Sequence, residues 1–275
     1  MDSARGRSGT ACASRQCGRG GRILERDVAS AAPTATEAVP TAAAPALPLQ
    51  GIRRVTAERL ALSAQTVAAV TLTTEADATA LVRLREQAAA EQGDGADDVP
   101  TYTDFMVKVV ALALAEHPAL NAELKDNGIV QHAHANVAIA VDTPRGLIAP
   151  VVRDAAHRSV SEIASETKRL ITGARDGRSR AQDLQGGTFT ITNLGMFEID
   201  AFTPMVNLPQ AAILGLGRII ARPVVVDETS EQVAVRRMLS LSLTFDHRLV
   251  DGAPAARFLQ RIKHLVERPT LWLFR

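Results

Sequence analysis

Near the C-terminus the apolar residues change period within one short stretch, and this change constrains the fold more than any other part of the chain. Between Arg237 and Thr244, Leu239, Leu241 and Leu243 alternate with Ser240, Ser242 and Thr244. That is the period of a strand buried on one face. From Ala253 to Glu267, Ala256, Leu259, Ile262, Leu265 and Val266 recur at helical spacing. The corner between them reads Phe245-Asp246-His247-Arg248-Leu249-Val250-Asp251-Gly252. Gly252 suits unusual backbone angles or a close approach. An imidazole titrates near neutral pH, so His247, four residues before a carboxylate, is a candidate general base that takes and returns a proton. The alternative is a structural corner, with His247 hydrogen-bonded to backbone and Asp251 capping the helix. On these residues alone both readings stand.

The chain has 275 residues, enough for one large domain and an appendage. It is 46% hydrophobic with a formal charge of +1, the composition of a globular protein with no electrostatic case for nucleic acid. Aromatics make up only 3%, which argues against base-stacking platforms and for a core of Leu, Ile, Val and Ala. No apolar run reaches the ~20 residues that cross a membrane. Met1 to Arg7 has no apolar core and is not a secretory signal. Cys12 and Cys17, both near the N-terminus, are too few for a metal site or a disulfide framework. A reduced, cytoplasmic protein is expected, with no nucleic-acid or membrane partner and no metal.

Residues 1–30 are rich in Arg, Gly and Ser, and 31–49 are almost entirely Ala, Pro, Thr and Val, the composition of an extended tether. Globular patterning begins near residue 50. Ile52, Val55, Leu60 and Ala64 predict a helix that also carries Arg53, Arg54 and Arg59. A strand over 67–77, a helix over 78–90 and an acidic loop over 93–100 follow. Phe105, Val109, Leu112 and Ala113 form the inner stripe of a helix over 102–116, ended by His117-Pro118. Apolar runs at 137–141 and 147–152 flank a hairpin turn at 142–146. A helix over 159–174 has Ser159 or Ser161 as its cap, and further strands are expected at 188–192, 211–216, 223–226 and 238–245. The class is α/β. His132 and His134 read either as a metal pair lacking a third ligand at useful spacing or as an exposed strand face. Arg53-Arg54 reads either as a phosphate site or as the wet side of a helix. Gly215-Leu216-Gly217 is too little for a dinucleotide site.

Five segments in order resemble the catalytic domain of the dihydrolipoamide acyltransferases of 2-oxoacid dehydrogenase complexes. They begin with Ile52-Arg53-Arg54-Val55-Thr56-Ala57-Glu58-Arg59-Leu60 and continue with Val141-Asp142-Thr143-Pro144-Arg145-Gly146-Leu147-Ile148-Ala149-Pro150-Val151. Next come Gly186-Gly187-Thr188-Phe189-Thr190-Ile191-Thr192-Asn193-Leu194-Gly195-Met196-Phe197 and Pro209-Gln210-Ala211-Ala212-Ile213-Leu214-Gly215, and last the Asp246 to Gly252 corner. The resemblance covers residues 50–275. Residues 20–28 resemble the last part of a peripheral-subunit-binding domain, so 1–30 are expected to be a remnant of one. No lipoyl domain is recognisable, and the chain is expected to be a fragment or to have a misassigned start.

The resemblance implies a chloramphenicol acetyltransferase-like two-layer sandwich with a mixed sheet, forming a homotrimer that assembles into a larger core. It implies acyl transfer between dihydrolipoamide and coenzyme A, the lipoyl group being supplied by another chain or domain. His247 is then the base, Thr192 the oxyanion donor and Asp251 a support paired with Arg54, while Arg54, Asn193 and Asp246 bind substrate or coenzyme A or support the site. Decarboxylase and dihydrolipoyl dehydrogenase partners are implied too. The active site is expected between subunits. Glu198 stands where the family usually has glycine, and it would strain its loop if that position has positive φ. Acetyl is the favoured group, with succinyl and branched-chain acyl as alternatives. A core scaffold without catalysis and a free chloramphenicol acetyltransferase-type enzyme are the competing readings.

Overall fold

The computed structural model describes residues 48–92, 99–126, 128–227 and 229–273. Backbone contacts divide the chain into 1–48 and 49–275. The expected binding-domain remnant, all but the last two residues of the 31–49 tether, and most of the acidic loop lie outside the described residues.

In the second unit, helix α1 (Gly51–Thr66) leads into strand β1 (Ala69–Asp77), then α2 (Thr79–Gln92) and α3 (Tyr102–Glu116). Short strands follow: β2 (Ala122–Lys125), β3 (Gly128–Gln131), β4 (Val137–Ile139), β5 (Val141–Thr143), β6 (Gly146–Ile148) and β7 (Val151–Val152). Helix α4 (Val160–Arg175) and strand β8 (Phe189–Asn193) precede the long hairpin β9 (Ala212–Asp227) and β10 (Gln232–Asp246). Helices α5 (Gly252–Glu267) and α6 (Thr270–Leu273) close the described chain. The main sheet has six strands in the order β1-β10-β9-β8-β4-β7. β9–β8 and β8–β4 are parallel, and the other pairs are antiparallel. The fold is therefore an α/β sandwich on a mixed sheet, as expected.

Helix α3 is apolar on most of its circumference and is accordingly the central helix of the core: Phe105 to Ala111, Ala113 and Leu114 are buried. Thr101 and Asp104 close a capping box at its start, so two otherwise unpaired backbone N–H groups are satisfied there. Helix α5 buries one stripe, Ala255, Phe258, Leu259, Ile262, Leu265 and Val266, against β1 and α3. The rings of Phe258 and Phe189 meet at 5.6 Å and carry the helix layer onto the sheet. Ser159 caps α4 through a second capping box with Glu162.

Two expectations are corrected. The segments at 211–216 and 223–226 form one strand, because β9 stays paired with β10 past a bulge near Leu239. The hydroxyl face of β10 is not open to water either: Ser242 and Thr244 are 2% and 1% exposed. The chain near Phe202 crosses that face, and a Cβ at Gly215 would lie 2.9 Å from its ring. Thr244 meets its cross-strand partner Thr71, hydroxyl to hydroxyl, at 2.8 Å.

Candidate active site

His247 stands one residue past β10, at the turn into α5. Its backbone N–H donates to the Ala68 carbonyl at 2.9 Å, while the N–H groups of Leu249 and Val250 fold back onto the Asp246 carbonyl. The turn thus closes on itself and offers the imidazole outward, with its side chain 44% exposed and the Phe245 ring 5.8 Å away.

Asp246 is what builds this corner. Its carboxylate is 1% exposed. It accepts from the backbone N–H of Ala68 and of Arg248, and two-pronged from the Arg248 guanidinium at 2.6–3.0 Å. Burial alone would raise its pKa; the Arg248 guanidinium and the two N–H groups outweigh that and hold the carboxyl below its ordinary value. Nothing in the local spacing singled out Arg248 as that partner.

The expected pairing of Asp251 with Arg54 is not what the structure has. The Asp251 side chain is 85% exposed and lies 3.8 Å from Nδ1 of His247, beyond hydrogen-bond reach. It occupies the N-cap position of α5 without a capping bond from its side chain. Arg54 pairs with Glu58, one helical turn on, at 2.8 Å. Within the single chain the Asp251 carboxylate stays in water, so no buried charge there calls for an arginine.

Thr192 is half-buried near the end of β8, directly across from Gly215 of β9. Beside it, the Asn193 side chain accepts the Gly195 N–H at 2.9 Å and donates to the Thr103 hydroxyl at 3.2 Å, tying the strand end to the start of α3. The loop that follows lies close on β9: a Cβ at Gly195 would sit 2.6 Å from the Gly217 carbonyl, and one at Gly217 would sit 1.8 Å from the Asp200 carbonyl. These contacts account for Gly215 and Gly217 as packing glycines. Glu198 has φ of +62°, the left-handed region that favours glycine, so the strain expected at this position is present. Met196 and Phe197 beside it are exposed.

Thr192 and His247 do not meet within one chain. Thr192 aligns through Gly215 with Ser242 of β10, five residues and two strands from His247. At ~3.4 Å per residue and ~4.8 Å per strand the separation is on the order of 20 Å. Beneath Thr192, the Thr190 hydroxyl donates to Gln210 and accepts from Asn207, and Gln210 donates to the Gly187 carbonyl. This buried network fixes β8, and sequence spacing gave no sign of it. A concavity of about 510 Å³ between α4 and residues 178–183 touches none of the expected site residues. Its Arg169 is already held by Glu166 and Asp183. His132 and His134 go to different partners, Glu123 at 3.6 Å and Asp154 at 3.2 Å.

Residues 42–274 match the family model of the 2-oxoacid dehydrogenases acyltransferase (catalytic domain). The chain is 39% identical, over 92% of its own length and 64% of the relative's, to the dihydrolipoyllysine-residue acetyltransferase component of the acetoin cleaving system of Bacillus subtilis. It is also 39% identical, over 82% of its length and 54% of the relative's, to the succinyltransferase component of the 2-oxoglutarate dehydrogenase complex of Haemophilus influenzae. It thus spans less than two thirds of these relatives. The solved dihydrolipoamide acetyltransferase of Azotobacter vinelandii superposes with a TM-score of 0.79 at 32% identity, covering 84% of this chain and 94% of that one. That enzyme was studied for the role of a serine, a histidine and an asparagine in its catalytic mechanism, the last two lying four positions apart.

Proposed function

The chain belongs to the family of 2-oxoacid dehydrogenase acyltransferase catalytic domains, and from that premise we propose that it transfers an acyl group between dihydrolipoamide and coenzyme A. A thiol with a pKa near ~8.5 is mostly protonated at neutral pH. His247 removes that proton as the sulfur attacks the thioester carbonyl, a new C–S bond forms, and the intermediate collapses by breaking the old one. The proton then passes from His247 to the departing thiolate, which makes the transfer reversible. The Thr192 hydroxyl donates to the oxyanion of the tetrahedral intermediate, a contribution of roughly 3–4 kcal/mol for a preorganised donor. The histidine and asparagine of the Azotobacter enzyme stand four positions apart, as do His247 and Asp251 here.

The observation that carries this reading is the distance between its two parts. A base and an oxyanion donor on the order of 20 Å apart along one sheet serve one carbonyl only if a neighbouring copy supplies the second group. We therefore take the working unit to be a homotrimer within a larger core, with His247 of one subunit facing Thr192 of the next. The tether at 31–49 would join such a core to outer domains, and attachment of decarboxylase and dehydrogenase components would be weakened by the truncated binding domain at 1–30. Asp246 supports the His247 corner, and Asn193 holds the strand end that carries Thr192; both are positioning residues. Acetyl is the favoured group, on the resemblance of residues 193–197 to acetyl-transferring members, although the relatives include both acetyl- and succinyltransferases.

The test is transfer from acetyl- or succinyl-coenzyme A to free dihydrolipoamide, beside His247→Ala. Transfer that falls by at least ~10²-fold in the variant supports the mechanism, and the better donor gives the acyl preference. No transfer from an assembled oligomer overturns the reading and leaves a core scaffold. Transfer to a small hydroxylated acceptor in place of dihydrolipoamide would favour a free acetyltransferase.

A further inference from the structure

Away from β8 and the His247 corner, the segment before β4 and the turn after β7 bring three metal-ligating side chains to one point. Nδ1 of His134 lies 3.2 Å, and Nδ1 of His157 2.8 Å, from the same oxygen, Oδ1 of Asp154. One donor atom from each of the three lies within 4.8 Å of the other two. We propose that His134, Asp154 and His157 form a binding site for a divalent transition-metal cation of the zinc class.

Two imidazoles and a carboxylate are the N/O donor set that suits Zn²⁺, Ni²⁺ or Cu²⁺. Ligand atoms on a tetrahedral ion with bonds of ~2.0–2.1 Å stand roughly 3.3 Å apart. The observed spacings need only small side-chain movements to admit one. The two rings share a single carboxylate oxygen, and a cation in place of those shared hydrogens would use the same convergence. A fourth position is open to water, because the three side chains are 42–76% exposed.

The backbone beneath is held firmly, which lowers the cost of assembling the ligands. Asn121, 3% exposed, donates to the carbonyls of His132 and His134. Lys108, 4% exposed, donates to the carbonyls of Ala156 and Arg158, on either side of His157. The Asn136 side chain accepts the Asp154 N–H at 2.9 Å. Arg153, next to Asp154 in sequence, turns away to the carbonyls of Gln182 and Gln185. The third ligand could not be found by local spacing: Asp154 and His157 lie twenty and twenty-three residues beyond His134, and the β4–β7 pairing brings them back.

The experiment is calorimetric titration of the untagged full chain with zinc chloride, followed by X-ray absorption of the zinc-loaded protein. The expected result is one site with Kd of ~10 μM or tighter, weakened at least ~10-fold in both His157→Ala and Asp154→Asn and unchanged in His132→Ala. Nitrogen and oxygen scatterers near ~2.0–2.1 Å are expected around the ion. His157→Gln serves as a second, gentler variant. No saturable binding below about 1 mM, an unchanged Kd in both His157 variants, or sulfur at ~2.3 Å, which would assign the ion to Cys12 and Cys17, would each overturn the proposal.

Discussion

A carboxylate taken out of water needs a partner, and at Asp246 the partner is a guanidinium plus two backbone N–H groups. Asp246→Asn removes the charge but leaves Arg248 and the tightly closed turn, so a loss of about 2–3 kcal/mol is expected in urea unfolding at pH 7. The pH dependence follows in sign. The folded carboxyl titrates below its ordinary value of 3.8, so its contribution is full above that value and is lost as pH falls through the lower, folded value. The gap between wild type and Asp246→Asn should therefore be constant from pH 7 to about 5 and begin to close only as pH falls below the ordinary value of 3.8; a gap that widens on acidification would contradict the assignment. Asp251→Ala, at an exposed side chain, should move stability by under ~0.5 kcal/mol. Glu198 is a different residue-scale case, because its cost lies in the backbone. At φ of +62°, Glu198→Gly should be neutral or stabilise by up to ~1 kcal/mol, whereas Glu198→Val should lose about 1–2 kcal/mol by thermal melting.

Glycines do the corresponding work between elements, on the face of the sheet away from the helices. Gly217→Ala would place a methyl 1.8 Å from the Asp200 carbonyl, and the backbone there has no flexible end to move. The loop carrying residues 195–200 must lift, at a cost of about 2–3 kcal/mol, and acyl transfer should fall even where the protein stays folded, because that loop follows Thr192. Melting beside the transfer assay checks both. This is also where legibility in the sequence ended. Periodicity read α3 and the inner half of β10 well, because Leu239, Leu241 and Leu243 face the helix layer, but it misplaced the start of the α5 stripe: Ala256 is exposed, and Ala255 and Phe258 are buried in its stead. It split β9 into 211–216 and 223–226, because Gly217, Arg218 and Arg222 interrupt the apolar run. The structure keeps the strand whole because β8 flanks β9 only as far as Leu216, and beyond that Pro223 stands on an open edge. The His247 corner was legible as a strand-to-helix turn, while the division of labour between Asp246 and Asp251 was not. Alternation reports which face a side chain takes, and nothing local reports that Ala68 will arrive with an N–H to donate.

At the scale of the whole molecule, apolar side chains remain outside the core in several places. Ile52, Val55 and Leu62 are exposed on α1, Met196 and Phe197 are exposed beyond β8, and Val233 and Val235 are 60% and 70% exposed on the part of the hairpin that extends past β1. Surfaces of this kind are what association covers, and the separation of Thr192 from His247 gives association a chemical consequence. If the reacting carbonyl sits between His247 of one copy and Thr192 of the next, His247→Ala and Thr192→Ala chains should each be nearly inactive alone yet active together. After co-refolding at equal amounts in a cyclic trimer, an interface works when its His side comes from the Thr192 variant and its Thr side from the His247 variant, which random mixing gives for about a quarter of the interfaces. Recovery of about a quarter of wild-type transfer is thus expected, and it should vanish when the two variants are mixed without exchange of subunits. Were both groups to act within one chain, no mixed trimer could hold an intact pair, and activity would stay at the level of the single variants however the chains were combined.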